Sequence, residues 1–164
     1  MGMAKTQHPV NMIRHNYFSR FAIADPDCTV RTAKKRLAAV DFDTFVVTGD
    51  SGVSVGTILA WKLGKNLVVI RKDGVDHHDW ESYYGTLGDR WVFLDDLIET
   101  GSTRGRCKDA IATISSEEDV KTLYVGQYEY INRYNKETND YQDGLFTPSR
   151  DDEPIVYQCC EDCG

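Results

Sequence analysis

Trp91-Val92-Phe93-Leu94-Asp95-Asp96-Leu97-Ile98-Glu99-Thr100-Gly101-Ser102-Thr103 carries most of the information in this sequence. Four apolar residues in succession read as a strand buried on both faces. Two adjacent carboxylates follow where that strand ends. Hydroxyl residues around Gly101 then lead into a helix over about 104–115, which buries Cys107, Ala110, Ile111 and Ile114 at helical spacing.

Upstream, Phe42 to Val47 is a second apolar strand, running into the Gly-bearing loop Thr48-Gly49-Asp50-Ser51-Gly52. Val55, Ile58, Leu59 and Leu63 then recur at helical spacing up to Gly64, a C-terminal stop. Asn66 to Ile70 is the next strand, completing a βαβ unit. Downstream, Lys121 to Tyr128 adds a further strand. Near the start, residues 1–27 are polar apart from an aromatic patch at Tyr17, Phe18 and Phe21. A helix with Val30, Ala33, Leu37 and Val40 on one face follows them. The polar stretch 71–90 is too long for a plain connection, and reads as a lid or a hairpin arm. The alternation predicts one α/β domain over 1–164, with a mainly parallel twisted sheet flanked by helices. Its core spans about 29–128, and 129–164 supplies a small hood and a Cys-rich tail. Parallel sheets bind ligands at the carboxyl ends of their strands, where the loops 48–53 and 95–103 both fall.

The charge balance is 19 basic against 26 acidic residues, a net −7, whereas a bulk binder of nucleic acid or anionic membrane needs the opposite sign. No apolar run is long enough to cross a membrane or to serve as a signal peptide, so a cytoplasmic location is expected. Cys28 and Cys107 are isolated, while Cys159, Cys160 and Cys163 crowd the end of the chain. The last pair has CxxC spacing. No second cluster exists to complete a zinc site, and the pair does not open a helix as a redox motif would. A reduced, solvated tail is the simpler reading.

Two neighbouring acids can accept hydrogen bonds from the vicinal hydroxyls of a ribose. The N–H groups at a helix start, with Gly101 allowing close approach, suit a phosphate. A strand-end turn with Asp as turn former and Thr as cap would use the same residue types. The run as a whole separates the two: Asp95 to Thr103 resembles the phosphoribosyl-diphosphate (PRPP) signature of the type I phosphoribosyltransferases, and the order of elements over roughly 29–128 is similar to that family.

That resemblance implies transfer of ribose 5-phosphate from PRPP to a nucleobase, a purine first, with release of pyrophosphate. Asp95 and Asp96 would hold the ribose hydroxyls and the protein contact of a Mg²⁺ ion. The segment Ile98, Thr100, Gly101, Ser102 and Thr103 would hold the 5-phosphate. Glu99 stands where similar 6-oxopurine enzymes carry an Asp, and would be the general base. Asp50, Ser51 and Gly52 would form the pyrophosphate loop, which lacks the basic residue of several subfamilies; Arg71 and Lys72 would supply it. Ser82 and Tyr83 resemble a lid pair, with His77 and His78 in the same segment. Gln127 and Tyr128 would meet the base, although the strand has no Lys to read an exocyclic oxygen. A homodimer is implied by the resemblance alone.

Two rival readings remain. Gly52-Val53-Ser54-Val55-Gly56 fits the GxSxG elbow of a serine hydrolase, but only His77 and His78 follow Ser54 as partners. The same fold could also serve as a non-catalytic sensor of PRPP or nucleotide.

Overall fold

Strands that lie inside a parallel sheet are covered on both faces, and three of them show it here as unbroken apolar segments. The computed structural model describes residues 19–72, 82–135 and 140–150. Strand β1 (Thr44–Thr48) is buried at every position, and β2 (Asn66–Ile70) and β4 (Arg90–Asp95) over most of theirs. Strands β3 (Tyr83–Gly85), β5 (Leu123–Asn135) and β6 (Asp140–Pro148) complete a six-stranded sheet of order β3-β2-β1-β4-β5-β6. The four inner strands are parallel, and the two edges, β3 on β2 and β6 on β5, are antiparallel.

Among the described residues, four helices flank the sheet: α1 (Ser19–Ala24), α2 (Pro26–Arg36), α3 (Gly49–Leu63) and α4 (Ser102–Glu117). Side-chain alternation splits β1 and β4 between two cores. Phe45, Val47, Val92 and Leu94 pack with Val55 and Leu59 of α3 and with Val30 and Ala33 of α2. Val46, Trp91 and Phe93 pack with Cys107, Ile111 and Ile114 of α4 on the other face. The chain leaves β1 towards β2 and leaves β4 towards β5, so strand order reverses between β1 and β4. A crevice at such a switch point is where open α/β sheets take their ligands.

The structure corrects several boundaries. Residues 19–24 are helical, and α2 starts at Pro26, where Asp25 accepts the Cys28 N–H at 3.0 Å and Pro fits the first helical position. It stops at Arg36, so Val40 lies beyond it. Segment 49–53 is no loop: α3 begins at Gly49 directly after β1 and ends at Gly64 in the left-handed conformation. Within the stretch assigned to the hood and just before it, β5 and β6 pair antiparallel and widen the sheet. Among the described residues, no helix is long and apolar enough to cross a membrane.

At the amino end of β1, the Asp43 carboxylate accepts the N–H groups of Asp89 (2.9 Å) and Arg90 (3.1 Å), tying the start of β4 to β1. Asp43→Ala leaves both donors without this partner and should lower stability by about 1–3 kcal/mol in chemical denaturation. Activity per folded molecule should not change, because the crevice lies at the opposite end of these strands.

Candidate active site

The crevice is built by two helix heads made in the same way. Each begins with a glycine at positive φ, Gly49 at +67° and Gly101 at +76°, a turn that other residues adopt only with strain. Each glycine has a cationic side chain packed against it. A Cβ at Gly49 would lie 2.9 Å from Lys72 Nζ, and one at Gly101 would lie 2.9 Å from Arg104 Nη2. The first N–H groups of α3 and α4 have no partner within their helices, as every helix start requires. Two anion cradles result, each with a positive helix end and a neighbouring cation.

Between them stand Asp95 and Asp96, half-buried at the end of β4. Asp95 Oδ1 accepts the Asp96 N–H at 2.9 Å and faces Ser51 Oγ at 3.5 Å, which brings the α3 head to the carboxylate pair. Burial pushes the Asp95 carboxyl up from 3.8 to about 7; the Asp96 side chain adds to this, while the Asp96 N–H and the Lys72 charge oppose it. Tyr130 donates to the Ser51 carbonyl at 2.8 Å, locking the α3 head to β5. Burial, with the Asp96 and Asp95 charges, holds the Tyr130 phenol well above its usual range. A hollow of about 290 Å³ opens over Asp95, Asp96, Glu99, Thr100, Gly101 and Thr103.

The structure therefore brings Asp95, Asp96, Glu99, Thr100, Gly101, Thr103, Ser51 and Lys72 to one crevice. Ser102 lies beside them at the first turn of α4, its N–H 3.3 Å from Thr100 Oγ1. Asp50 is exposed on the first turn of α3. Lys72 supplies the cation that the 48–53 segment lacks.

Other expected roles are corrected. Gly52 is buried in the fourth position of α3, where a Cβ would lie 3.2 Å from Val47 Cβ. Its role is close packing, and the outward N–H groups belong to residues 49–51. The Ile98 N–H donates to Glu129 Oε1 at 2.8 Å, so it is not available to a phosphate. Arg71 lies over the Tyr84 ring and lines a cavity with Arg106 and Tyr83. Tyr83 sits in β3 and donates to Glu118 at 3.2 Å, while the Ser82 carbonyl accepts the Arg71 N–H, so this pair belongs to an ordered sheet edge and not to a lid. Residues 73–81, with His77 and His78, lie outside the described residues, as do the three terminal cysteines.

Tyr128 is 1% exposed and packs in the core on the α3 side, leaving no ring face for a base. Gln127 is also buried, accepts a hydrogen bond from Arg104, and lines a different cavity from the hollow over Asp95. Tyr124 lies against Trp91. Tyr128 was expected to meet the base, and the core has absorbed it. Ser54 is inside α3 and donates to the Asp50 carbonyl at 2.7 Å, a helical back-bond unlike a nucleophile elbow. Burial pushes the Cys107 thiol up to about 12, which leaves it protonated and inert at neutral pH.

Sequence reasoning missed Glu129, Arg104 and Tyr130. Glu129 is opposite Asp95 in the β4–β5 register, a pairing that only the folded sheet reveals.

The chain is similar over part of its length to proteins named as phosphoribosyltransferases. The chain is 30% identical over 101 residues to the adenine phosphoribosyltransferase of Geotalea uraniireducens, covering 52% of this chain and 58% of that one. It is 33% identical over 101 residues to the hypoxanthine/guanine phosphoribosyltransferase of Methanopyrus kandleri, covering 52% and 54%. The chain thus spans little more than half the length of these curated relatives. Among solved structures, UMP synthase of Leishmania donovani superposes with a TM-score of 0.47 at 18% identity, covering 66% of this chain and 23% of that one. Adenine phosphoribosyltransferase from Thermoanaerobacter pseudethanolicus gives 0.43 at 20% identity, covering 66% and 72%. No family model matches. The core is an α/β fold with a mainly parallel sheet, and over about half of its length the chain is similar in sequence to phosphoribosyltransferases.

Proposed function

We propose that the chain transfers ribose 5-phosphate from PRPP to a nucleobase, a purine by preference, releasing pyrophosphate. One observation carries this reading: two helix-head anion cradles flank a carboxylate pair. PRPP has a matching outline, a phosphate at one end, a diphosphate at the other and a diol between. The α4 head would take the 5-phosphate, Asp95 and Asp96 the ribose hydroxyls, and the α3 head with Lys72 the diphosphate. The purine preference rests on the named activities of the relatives.

In the reaction a ring nitrogen of the base bonds to ribose C1 as the bond from C1 to the diphosphate oxygen breaks. Positive charge develops on the ribosyl group, and the fixed carboxylates beside it stabilise that charge. Glu99, exposed at the rim of the hollow, would accept the proton that the base gives up. Asp95 and Asp96 also suit Mg²⁺, which takes hard oxygen donors and is commonly held by one or two carboxylates plus substrate phosphates. When bound, Mg²⁺ would neutralise the departing diphosphate.

Pyrophosphate release from PRPP, measured with Mg²⁺ and a panel of bases, tests this. Turnover with adenine, hypoxanthine or guanine is expected, and should fall at least about a hundredfold in Asp95→Asn/Asp96→Asn. Normal turnover by that double variant would displace the site. PRPP binding without turnover for any base would make the chain a sensor.

A further inference from the structure

We propose that the cavity between α4 and the β5–β6 strand pair is a second phosphate-binding site, distinct from the crevice. This inference does not depend on the transferase reading. The cavity has a volume of about 360 Å³ and is lined by Arg104, Lys108, Tyr124, Gln127, Thr147, Pro148, Ser149 and Arg150. Three cations and three hydroxyls converge there, with no carboxylate in the lining among the described residues, on a chain whose net charge is −7. That local reversal of sign favours an anion.

Gln127 defines the chemistry further. It is 8% exposed, and its Oε1 accepts from Arg104. A guanidinium only donates, so this contact fixes which way the amide faces, and the NH₂ group is left as the outward donor. It has no hydrogen-bond partner among the described residues. A buried donor without a partner costs about 1–3 kcal/mol, and a phosphate oxygen in the cavity would recover it. Arg104 can serve the same oxyanion, since guanidinium groups pair with phosphate through several N–H groups. The lining suits phosphate more than a purine: Tyr124 is buried against Trp91, and Lys108 Nζ lies over its ring at 4.6 Å. No ring face is left for stacking.

Arg104 connects this cavity to the crevice, because its guanidinium also packs on Gly101. A dianion held on the Gln127 side competes with the α4 head for one cation, so the two sites oppose each other.

Equilibrium dialysis of the full chain against radiolabelled inorganic phosphate tests the inference, with melting curves to establish folding of each variant. Three phosphates per chain are expected, one at each helix head and one in this cavity. Lys108→Gln/Arg150→Gln should weaken one of them at least tenfold and leave the site at the α3 head. Thr103→Glu, which suits the helix dipole but repels an anion at the α4 head, should remove only the α4-head phosphate. A phosphate lost in Thr103→Glu, with none affected by Lys108→Gln/Arg150→Gln, overturns the second site and leaves the crevice reading intact. The converse pattern upholds the second site and counts against the α4 cradle. No binding at millimolar phosphate overturns both. Displacement of the Lys108- and Arg150-dependent phosphate by ribose 5-phosphate would identify a monoester as the source; failure to displace it would identify the free ion. Either outcome upholds the site.

Discussion

Asp95→Asn should make the chain more stable above neutral pH while removing most of the proposed transferase activity. The folded chain holds the Asp95 proton up to about pH 7, whereas an unfolded carboxyl releases it near 3.8. Folding therefore takes up a proton between those values, and stability falls as pH rises through that window. Asparagine does not ionise, so parent and variant should melt alike near pH 4 and diverge towards pH 8. The side chain is partly solvated and interacts with Asp96, which reduces the expected gain to about 1–2 kcal/mol, or roughly 3–6 °C. Melting with a chelator present, at a series of pH values, measures this. Turnover should drop about a hundredfold or more. A variant no more stable at pH 8 than at pH 4, relative to the parent, would show that Asp95 is ordinary.

Glu129 should be the next most sensitive position, although it does not face the hollow. It is 3% exposed and holds the Ile98 N–H, and so sets the path of the chain between Asp96 and Gly101. Glu129→Ala would leave that N–H without its acceptor, costing about 1–3 kcal/mol and loosening the cradle. The KM for PRPP should rise at least about tenfold, because a misplaced binding group loses affinity steeply. Glu129→Gln keeps an oxygen for Ile98 and should recover most of the binding. Equal loss in both variants would argue that the negative charge of Glu129, not its hydrogen bond, is what matters.

The fold was legible where the physics is local. Leu67 to Ile70 and Trp91 to Leu94 read directly as strands because both faces are buried, and Gly64 marked the end of α3. Two helix starts and the strand β3 were among the features that escaped. At Asp25-Pro26 a helix-start signal was present but lay in a stretch that looked polar. The three residues of β3 are too few to show a period. At 49–53 two glycines lowered helical propensity enough to look like a loop, although the segment is the helix head itself. The carboxylate pair and the hydroxyl-rich turn were also legible, since they are contiguous. Lys72 against Gly49, Arg104 on Gln127 and Glu129 on Ile98 depend on register between distant strands, and no periodicity encodes that. The aromatics misled because Tyr128 carries a polar tip on a side chain that the core needs for its volume.

The alternation along β1 and β4 gives each end of the crevice its own foundation. Substitutions around Leu59 would be felt first where the α3 head meets its anion, and those around Ile111 at the opposite wall. The molecule can thus be tuned at one end of an elongated ligand while the other stays in place. In the proposed reaction, which grips two charged groups and then lets one go, such independence permits adjustment of release without sacrificing capture.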